Sequence, residues 1–368
     1  MARLRRLTLS HFRSHRVLSL EAEGGMVALH GPNGAGKTNV LEAISMLSPG
    51  RGLRRAAPED LVRRPEAIGW KVSALIEGPD GPSEVETAAQ PGARREVRVD
   101  GKAAPQAALG RLLPMLWLTP AMDRLWAEGP GERRRFLDRM ALAFAPGHGD
   151  AALGYEKAMR ERTRLLTEGP ADPAWLSALE ARMAEAGAAL ARARAETIAR
   201  LAAAMAGAAS AFPRAILRIE GASEAALGAA LAAGAEMDAA EITEAAALRA
   251  RLATGRRADA AAARALEGPH RSDLLAVHEA KGVEARLAST GEQKALLIAM
   301  VLAHARALKA EAGAPPLLLL DEVAAHLDAA RRAALYDEIA ALGAEAWMTG
   351  TGPELFEALG GRGRLVGL

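Results

Sequence analysis

The chain has 368 residues, the length of one large domain or two ordinary ones. Its 47 basic and 45 acidic residues leave a net charge of +2, so any contact with a polyanion has to use local patches instead of bulk charge. Cysteine is absent, which excludes disulfides, thiolate zinc sites and cysteine nucleophiles. The sequence shows neither a secretory signal nor an apolar run near the ~20 residues of a membrane span, so we expect a soluble, cytoplasmic protein without a membrane partner.

The first third of the chain is patterned as strands around one helix. Leu4, Leu7 and Leu9 are spaced as in a strand, which predicts a strand or two near the N-terminus. Met26–His30 is an apolar run that stops at Gly31, and a helical pattern follows over residues 37–47. A strand, a glycine loop and a helix are therefore expected in that order. Further strands are predicted at residues 70–76, 85–87, 96–99 and 115–119.

The middle of the chain has a different texture. Residues 131–265 show almost no strand signal, and the apolar residues between Leu176 and Met205 fall at helical or heptad spacing. From Gly268 an α/β pattern returns, with an apolar strand at 317–320 and another near Trp347. We therefore expect an α/β fold whose mixed sheet is split in sequence. Residues 1–120 and 267–368 would form its two halves, and residues 121–266 an inserted helical lobe with a short coiled-coil-like hairpin.

The strongest motif follows the third predicted strand. It reads Gly31-Pro32-Asn33-Gly34-Ala35-Gly36-Lys37-Thr38 and matches the phosphate-binding loop pattern in full. In such a loop the backbone N–H groups surround phosphate oxygens, and the following helix offers its positive N-terminus. Lys37 is expected to reach the β- and γ-phosphates of ATP, and the Thr38 hydroxyl to bind Mg²⁺.

A second motif is the apolar strand Leu317–Leu320 followed by Asp321 and Glu322. Apolar runs that end in acids are common, so the pair becomes informative only beside a phosphate loop. In that setting Asp321 is expected to hold Mg²⁺, directly or through water. Glu322 is expected to polarise the attacking water as a general base.

A third motif stands just before a predicted helix. Ser289, Thr290, Gly291 and Gln293 lie in a segment that resembles the signature motif of ABC-type ATPases, although a serine before a glycine can also be a simple helix start. In that family the signature of one subunit closes on the γ-phosphate held by the other. Asp328 stands where the family has its D-loop. Thr349-Gly350-Thr351 stands where the switch histidine is usual, so we expect an altered γ-phosphate sensor.

Three ABC-type alternatives make different predictions. A transporter motor has a short insertion and a switch histidine. This chain has instead a long helical insertion, residues 121–266, and Thr349 at the position of the histidine. An ABC-headed nuclease needs further acidic metal ligands, for which we expect no room after Asp328. A structural SMC-like tether needs longer arms than the helical lobe can form.

The remaining details resemble the RecF family, a short-armed branch of these heads. Five short blocks follow the family's order across nearly the whole chain: residues 9–14, 49–55, 133–138, 268–274 and 289–294. The chain departs from the family at Gly52 and Arg55, where small hydroxyl residues are common, and at Ser272, where an acid is common. These departures affect fine contacts and not the assignment.

The resemblance implies an ABC-type P-loop ATPase head with weak, DNA-dependent ATPase activity and ATP-dependent homodimerisation. It also implies action with RecO and RecR, which helps load RecA at gapped DNA and single-strand/double-strand junctions and supports replication restart and SOS induction. Arg13 lies in the family's Phe-Arg loop and either reaches a phosphate of ATP or is solvated. His270 and Arg271 are either linked to the nucleotide or structural.

Two arginine-rich segments are candidates for DNA contact. Residues 3–16 carry five arginines and no acid, and residues 51–64 carry five arginines and two acids. Such patches bind phosphates with little sequence preference, although each arginine is as readily explained as solvated surface. With few aromatic residues among them, contact with the duplex backbone is favoured over base stacking.

Overall fold

The computed structural model describes residues 2–22, 24–169 and 172–368. They divide into two compact units. The head unit comprises Met1–Asp123, Ala209–Phe212 and Leu297–Leu368, and the helical unit comprises Arg124–Ala208 and Pro213–Leu296. Residues 267–296, which the sequence analysis grouped with the head, lie in the helical unit. The physical reason is that the strand Asp273–His278 pairs antiparallel with the strand Ala215–Glu220.

The head unit contains an antiparallel sheet of strand order β2-β1-β4-β5-β6-β7. Side chains on β1 and β4 alternate between buried and more exposed, as expected for a sheet with one face on a core. Its strands are β1 (Arg3–Phe12), β2 (His15–Glu21), β4 (Trp70–Gly78), β5 (Gly81–Ala89), β6 (Glu96–Val99) and β7 (Lys102–Ala103).

A second sheet of the head unit is wholly parallel and has the order β14-β3-β13-β12-β8. Leu317–Leu320 is buried at every position, as expected for a strand covered on both faces. The strands are β3 (Met26–His30), β8 (Met115–Leu118), β12 (Leu317–Leu320), β13 (Ala346–Gly350) and β14 (Gly363–Gly367). The α/β class is confirmed, with the two strand directions in separate sheets.

The helix after the glycine loop links the two sheets. The head-unit helices are α1 (Lys37–Ser45), α2 (Leu109–Leu112) and α9 (Ala329–Leu342), and α8 (Thr290–Ala312) contains the boundary between the units. Helix α1 contacts β1 of the antiparallel sheet and β13 of the parallel one. Leu9, Leu29 and Ile44 are among the fully buried residues of this shared core.

An arginine in the connection between β5 and β6 secures the far end of α1. The Arg95 guanidinium donates to Thr87 Oγ1 at 2.7 Å, to the Gly50 carbonyl at 2.6 Å and to the Ser48 carbonyl at 3.2 Å, and it also bonds the Met46 carbonyl. Burial lowers the pKa of Arg95 to about 10. The charge is thus placed at the negative end of the α1 dipole, where a cation is favourable.

The helical unit is built around one long helix, as the apolar spacing predicts. Helix α5 packs against α4 and α7 through buried residues that include Met183 and Leu248. The helices are α3 (Pro130–Phe144), α4 (His148–Thr167), α5 (Pro173–Ala206), α6 (Ala222–Ala232) and α7 (Met237–Ala262). Among the described residues no helix is long and apolar enough to cross a membrane.

The helical unit also holds a three-stranded sheet, of which one strand, Ala215–Glu220, lies within 131–265, where the sequence shows almost no strand signal. Its order is β11-β10-β9, with β9 (Ala215–Glu220), β10 (Asp273–His278) and β11 (Val283–Glu284). Pro213 and Gly221 flank the apolar residues of β9, and this punctuation is the local signal for a strand. The alanine-rich helices on both sides of it dominate the composition of the region.

Buried ion pairs tie the helices of this unit together. Arg162 is fully buried and donates to Glu180 at 3.0 Å and to Asp259 at 2.6 Å, which joins α4, α5 and α7. Arg194 on α5 donates to Asp138 at 2.7 Å and to Glu224 at 2.7 Å, which joins α3 and α6. Removing one partner of such a pair leaves a buried charge uncompensated, so these pairs constrain the packing strongly.

Candidate functional site

Three neighbouring strands bring the principal motifs to one edge of the parallel sheet. Strands β3, β13 and β12 lie side by side in the same direction, so their carboxyl ends meet. The glycine loop follows β3, Asp321 and Glu322 follow β12, and Thr349 lies near the end of β13. This edge is the candidate functional site.

Glycine is required by the geometry of the loop. Gly36 has φ of 93°, and a Cβ there would lie 2.6 Å from both His15 Nε2 and Ser14 Oγ. Gly34 also has a positive φ, of 88°. Gly36 is the N-cap of α1 and makes no side-chain cap bond, so the first N–H groups of the helix point towards the loop without a side-chain partner. This arrangement suits a phosphate group.

Lys37 crosses the loop that precedes it. Its Nζ donates to the Gly31 carbonyl at 2.7 Å and to the Pro32 carbonyl at 2.9 Å. The side chain is buried to 5% exposure, so the ammonium is held against the loop. An ammonium has three N–H donors, and two of them are used by these carbonyls. The third could bind a phosphate held in the loop, which would meet a cation already in place.

Thr38 and Asp321 meet although 283 residues separate them in sequence. Thr38 Oγ1 donates to Asp321 Oδ1 at 2.9 Å, and Thr349 Oγ1 donates to the same oxygen at 2.8 Å. Burial raises the pKa of Asp321 and the Glu322 charge adds to this, while the two hydroxyl hydrogen bonds oppose it. A hydroxyl and a carboxylate oxygen are hard ligands, and a cation beside them would relieve the cost of burying the carboxylate. These residues therefore fit a Mg²⁺ ion.

Glu322 occupies an unusual backbone conformation directly after Asp321. Its φ is 51° and ψ is 19°, which is the left-handed region that costs a non-glycine residue roughly 1–2 kcal/mol. The Glu322 backbone N–H donates to Thr349 Oγ1 at 2.9 Å. The two acidic residues and Thr349 are thus connected through one hydroxyl group.

Arg13 lies near the loop but is bound by the protein itself. Its guanidinium donates to the fully buried Glu42 at 2.9 and 2.8 Å and to the Asp60 carbonyl at 2.7 Å. The guanidinium of Arg54 contacts the same carboxylate at 3.4 Å. Arg13 is therefore not a freely solvated side chain, which was one of its two predicted roles. The other role, contact with a phosphate of ATP, stays a prediction.

The turn between β1 and β2 supplies loop contacts that sequence reasoning did not identify. His15 Nε2 lies 3.1 Å from the Gly36 carbonyl oxygen, and Asn39 Nδ2 donates to Ser14 Oγ at 2.8 Å. Neither residue type nor spacing in the sequence predicted a site role for Ser14, His15 or Asn39, although Ser14 belongs to the block of residues 9–14. Ser14 and His15 directly follow Arg13 in sequence, and this was the only local signal for them. Their contacts could not be predicted because they depend on the packing of β1 against α1.

The signature residues lie in the helical unit, at the start of α8. Ser289 Oγ donates to Glu292 at 2.8 Å and the Ser289 N–H donates to the same oxygen at 2.9 Å. The ion pair with Lys281, together with these two bonds, lowers the pKa of Glu292 to about 2. This is a capping-box arrangement at the start of a helix. Gln293 donates to the Ala288 carbonyl at 3.1 Å.

Two other predicted residues have local partners. Asp328 caps α9 by accepting from the Arg331 N–H at 2.8 Å. Both ring nitrogens of His270 are occupied within the helical unit, by the Tyr155 hydroxyl at 2.8 Å and the Ala265 carbonyl at 3.0 Å. These contacts favour the structural alternative for His270.

The two arginine-rich segments present exposed cations on the head unit. Their exposed members are Arg3, Arg6, Arg16, Arg51, Arg54, Arg55 and Arg64. Arg6, Arg16, Arg51, Arg55 and Arg64 form no ion pair with another residue that the structure describes.

Comparison with known proteins gives the family. The profile of the RecF/RecN/SMC N terminal domain matches residues 3–348. The chain is 48% identical over 368 residues to the DNA replication and repair protein RecF of Mesorhizobium japonicum, covering 98% of this chain and 94% of that one. It is 47% identical over 369 residues to the RecF of Rhizobium meliloti, covering 99% and 96%.

Solved structures show the same fold. The recombination mediator protein RecF-ATPrS in the RecFOR pathway superposes with a TM-score of 0.81 at 24% identity, covering 95% of this chain and 93% of that one. The Smc head domain of Pyrococcus furiosus, bound to the C-terminal domain of ScpA, has a TM-score of 0.55 at 16% identity, covering 100% and 93%. With a full-length fold match and near-half identity to named relatives, the chain belongs to the RecF family of ABC-type ATPase heads.

Proposed function

We propose that the protein is an ATP-dependent DNA-binding protein of recombinational repair that acts in the cytoplasm. It is a weak, DNA-dependent ATPase whose ATP-bound homodimer acts at gapped DNA and single-strand/double-strand junctions. With RecO and RecR it supports RecA loading, replication restart and SOS induction. The observation that carries this proposal is the convergence of the glycine loop, Thr38 and Asp321 at one sheet edge in a member of the RecF family.

The site geometry supports ATP as the ligand. The amides of residues 31–38 and the N-terminus of α1 would bind the phosphates, and Lys37 would neutralise the β- and γ-phosphates. Relatives of this family have been solved with ATP and with the analogue ATPrS. Hydrolysis would require Glu322 to accept the proton of the attacking water.

The divalent cation would be held by Thr38 and Asp321, whose oxygens already lie 2.9 Å apart. When bound, Mg²⁺ supplies neutralisation of phosphate charge. Glu322 follows Asp321 directly, so an acceptor for the water proton would stand next to the phosphate site. The two carboxylates therefore divide the metal and base roles between them.

Dimerisation and DNA binding are linked in this proposal. Ser289, Thr290, Gly291 and Gln293 of one subunit would close on the γ-phosphate held by the other, with Asp328 in the D-loop beside them. Bound ATP would then be part of the interface, so that nucleotide binding and dimerisation stabilise each other. The exposed arginines of residues 3–16 and 51–64 would contact the DNA backbone.

Fluorescence anisotropy on gapped duplex DNA tests the proposal directly. Wild-type protein is titrated with ATP, with ADP and without nucleotide, at two salt concentrations. We expect much tighter binding with ATP and a steep loss of affinity with added salt. Binding that is equal, or absent, in all three nucleotide states would contradict an ATP-closed DNA clamp.

Light scattering after gel filtration tests the dimer separately. Glu322→Gln should trap the ATP state, so we expect a dimer with ATP and a monomer without it. Ser289→Arg should remain monomeric with ATP although it still binds the nucleotide. A monomer for Glu322→Gln at saturating ATP would exclude the proposed homodimer.

A further inference from the structure

The hydroxyl group of Thr349 is the point at which the two acidic residues of the site are joined. It donates to Asp321 Oδ1 at 2.8 Å and accepts from the Glu322 N–H at 2.9 Å. Thr38 on α1 donates to the same Asp321 oxygen at 2.9 Å. One continuous chain of hydrogen bonds therefore runs from Thr38 through Asp321 and Thr349 to the Glu322 backbone.

These bonds indicate what Thr349 does at a position where ABC-type ATPases usually have a switch histidine and where we expected an altered γ-phosphate sensor. A threonine hydroxyl has a single hydrogen, and Asp321 receives it here. The side chain is 1% exposed, so it is enclosed within the sheet. The Thr349 hydroxyl therefore contacts the carboxylate of Asp321, which follows β12, and has no second hydrogen to donate to a phosphate.

Thr349 is held rigidly enough to define the position of its neighbours. Its strand β13 pairs with β3 on one side and with β12 on the other, and Thr349 is in register with Leu29. The next residue is tightly packed, since a Cβ on Gly350 would lie 2.7 Å from the Phe356 ring. A hydroxyl on such a strand has little freedom to move.

Glu322 needs an external restraint more than its neighbours do. Its left-handed φ of 51° is unfavourable for a side-chain-bearing residue, and such conformations persist where the surrounding structure holds them. The bond from the Glu322 N–H to Thr349 is a direct restraint on that backbone. Without it the carboxylate could reach other positions relative to Asp321.

We propose that Thr349 is a positioning residue of this site, whose hydroxyl sets the Asp321 carboxylate and the Glu322 backbone relative to each other. The proposal rests on the proposed function in giving Glu322 the role of base. It replaces the sensor role expected at this position with a restraint on the metal-binding and water-activating residues.

Two substitutions separate the hydroxyl from the shape of the side chain. Thr349→Val keeps the volume and removes the hydroxyl, and Thr349→Ser keeps the hydroxyl. Thr197→Val is a matched control, because Thr197 is also fully buried and donates to one backbone carbonyl, that of Ala193, at 2.7 Å. Thr197 lies on α5 of the helical unit.

The first measurement is hydrogen–deuterium exchange of the nucleotide-free protein, resolved over residues 317–326. We expect the Glu322 amide to lose protection in Thr349→Val and to keep it in Thr349→Ser and Thr197→Val. Unchanged protection in Thr349→Val would overturn the proposal. This measurement does not depend on ATP hydrolysis.

The second measurement is steady-state ATPase activity as a function of Mg²⁺ concentration, with ATP affinity measured in parallel by a fluorescent ATP analogue. For Thr349→Val we expect kcat to fall about 10- to 100-fold and the half-saturating Mg²⁺ concentration to rise, as for other residues that orient metal ligands. Nucleotide affinity without Mg²⁺ should change less than about threefold, because the loop is untouched. Thr349→Ser should stay within about threefold of wild type in all three quantities.

The outcomes distinguish this inference from the proposed function. Wild-type protein that neither binds nor hydrolyses ATP contradicts the proposed function, while selective loss of Glu322 protection still supports the restraint by Thr349. Active wild-type protein with an equally active Thr349→Val contradicts the positioning role alone. Equal impairment of Thr349→Val and Thr349→Ser would also overturn it, because the hydroxyl would then be irrelevant.

Discussion

Arg13 and Glu42 form a two-pronged ion pair between the β1–β2 turn and the helix that follows the glycine loop. Arg13 Nε and Nη2 donate to the two carboxylate oxygens at 2.9 and 2.8 Å, and the Glu42 side chain is fully buried. The third contact of the guanidinium, with the Asp60 carbonyl, completes the attachment. The family's Phe-Arg loop is therefore fastened to α1 in this structure.

Glu42→Gln should destabilise the head unit. The substitution leaves Arg13 and Arg54 without their shared carboxylate, and the loss of hydrogen bonds to a buried charged group costs about 1.5–3 kcal/mol. Urea unfolding measures the change. Glu66→Gln is the control, because it removes the more exposed pair with Arg63 and should cost less than about 1 kcal/mol. Equal costs for the two variants would contradict this account.

Lys37→Ala should weaken ATP binding by at least about 100-fold without unfolding the protein. The substitution removes a buried cation beside the phosphate loop, and charge-assisted bonds to phosphate are strong. Calorimetric titration with ATP measures the affinity. Lys102→Ala, on an exposed hairpin strand, is the control and should bind as wild type does. Unchanged ATP affinity in Lys37→Ala would remove the phosphate-loop assignment.

Arg95→Ala should destabilise the head unit by about 2–4 kcal/mol, because it leaves the Gly50 and Ser48 carbonyls and Thr87 without their donor. Arg95→Lys should recover less than half of this loss, since an ammonium cannot reproduce the forked set of bonds. Thermal and urea unfolding measure both variants. Arg98→Ala, at an exposed position on β6, is the control, and a loss as large as that of Arg95→Ala would argue against a specific clamp.

Asp138 makes a pH-dependent contribution to the stability of the helical unit. Burial opposes its ionisation, but hydrogen bonds from His148 and Arg194 outweigh burial and hold the pKa of Asp138 at about 2. Because the folded pKa is below the ordinary value of 3.8, the contribution is complete above that value and is lost as the pH falls towards 2. Arg194 donates to both carboxylate oxygens, at 2.7 and 3.0 Å.

Asp138→Asn tests this sign. We expect it to cost about 2 kcal/mol at pH 7, because Arg194 loses one of its two charged partners and a pKa shift of this size corresponds to roughly that free energy. The difference in unfolding free energy from wild type should be constant above about pH 5 and should shrink as the pH falls below about 4. Asp337→Asn removes only an exposed pair with Arg362 and should show a small difference throughout. A gap for Asp138→Asn that does not depend on pH would refute the assigned pKa.

Much of the fold was predictable because its signals are local. The strand before Gly31, the loop and α1 follow one another in sequence, and the motif requires them in that order. Helix α5 was evident from apolar spacing over many turns. Strand β9 was missed because it is six residues long within an alanine-rich helical region. The placement of residues 267–296 in the helical unit was missed as a consequence, because it depends on the pairing of β10 with the undetected β9.

The sequence by itself determined the family, and it placed a glycine loop before α1 and two adjacent acidic residues after β12, because each depends on residue types at short, fixed spacings. Only the tertiary structure decided that Arg13 is bound by Glu42 and that Thr349 joins Asp321 to Glu322. Arg13 meets Glu42 because β1 packs against α1. Thr349 reaches both acidic residues because of the strand order β3-β13-β12, which inserts a strand from late in the chain between the two motif-bearing strands. Hydrogen bonds between residues so distant in sequence depend on that order, which no local pattern encodes.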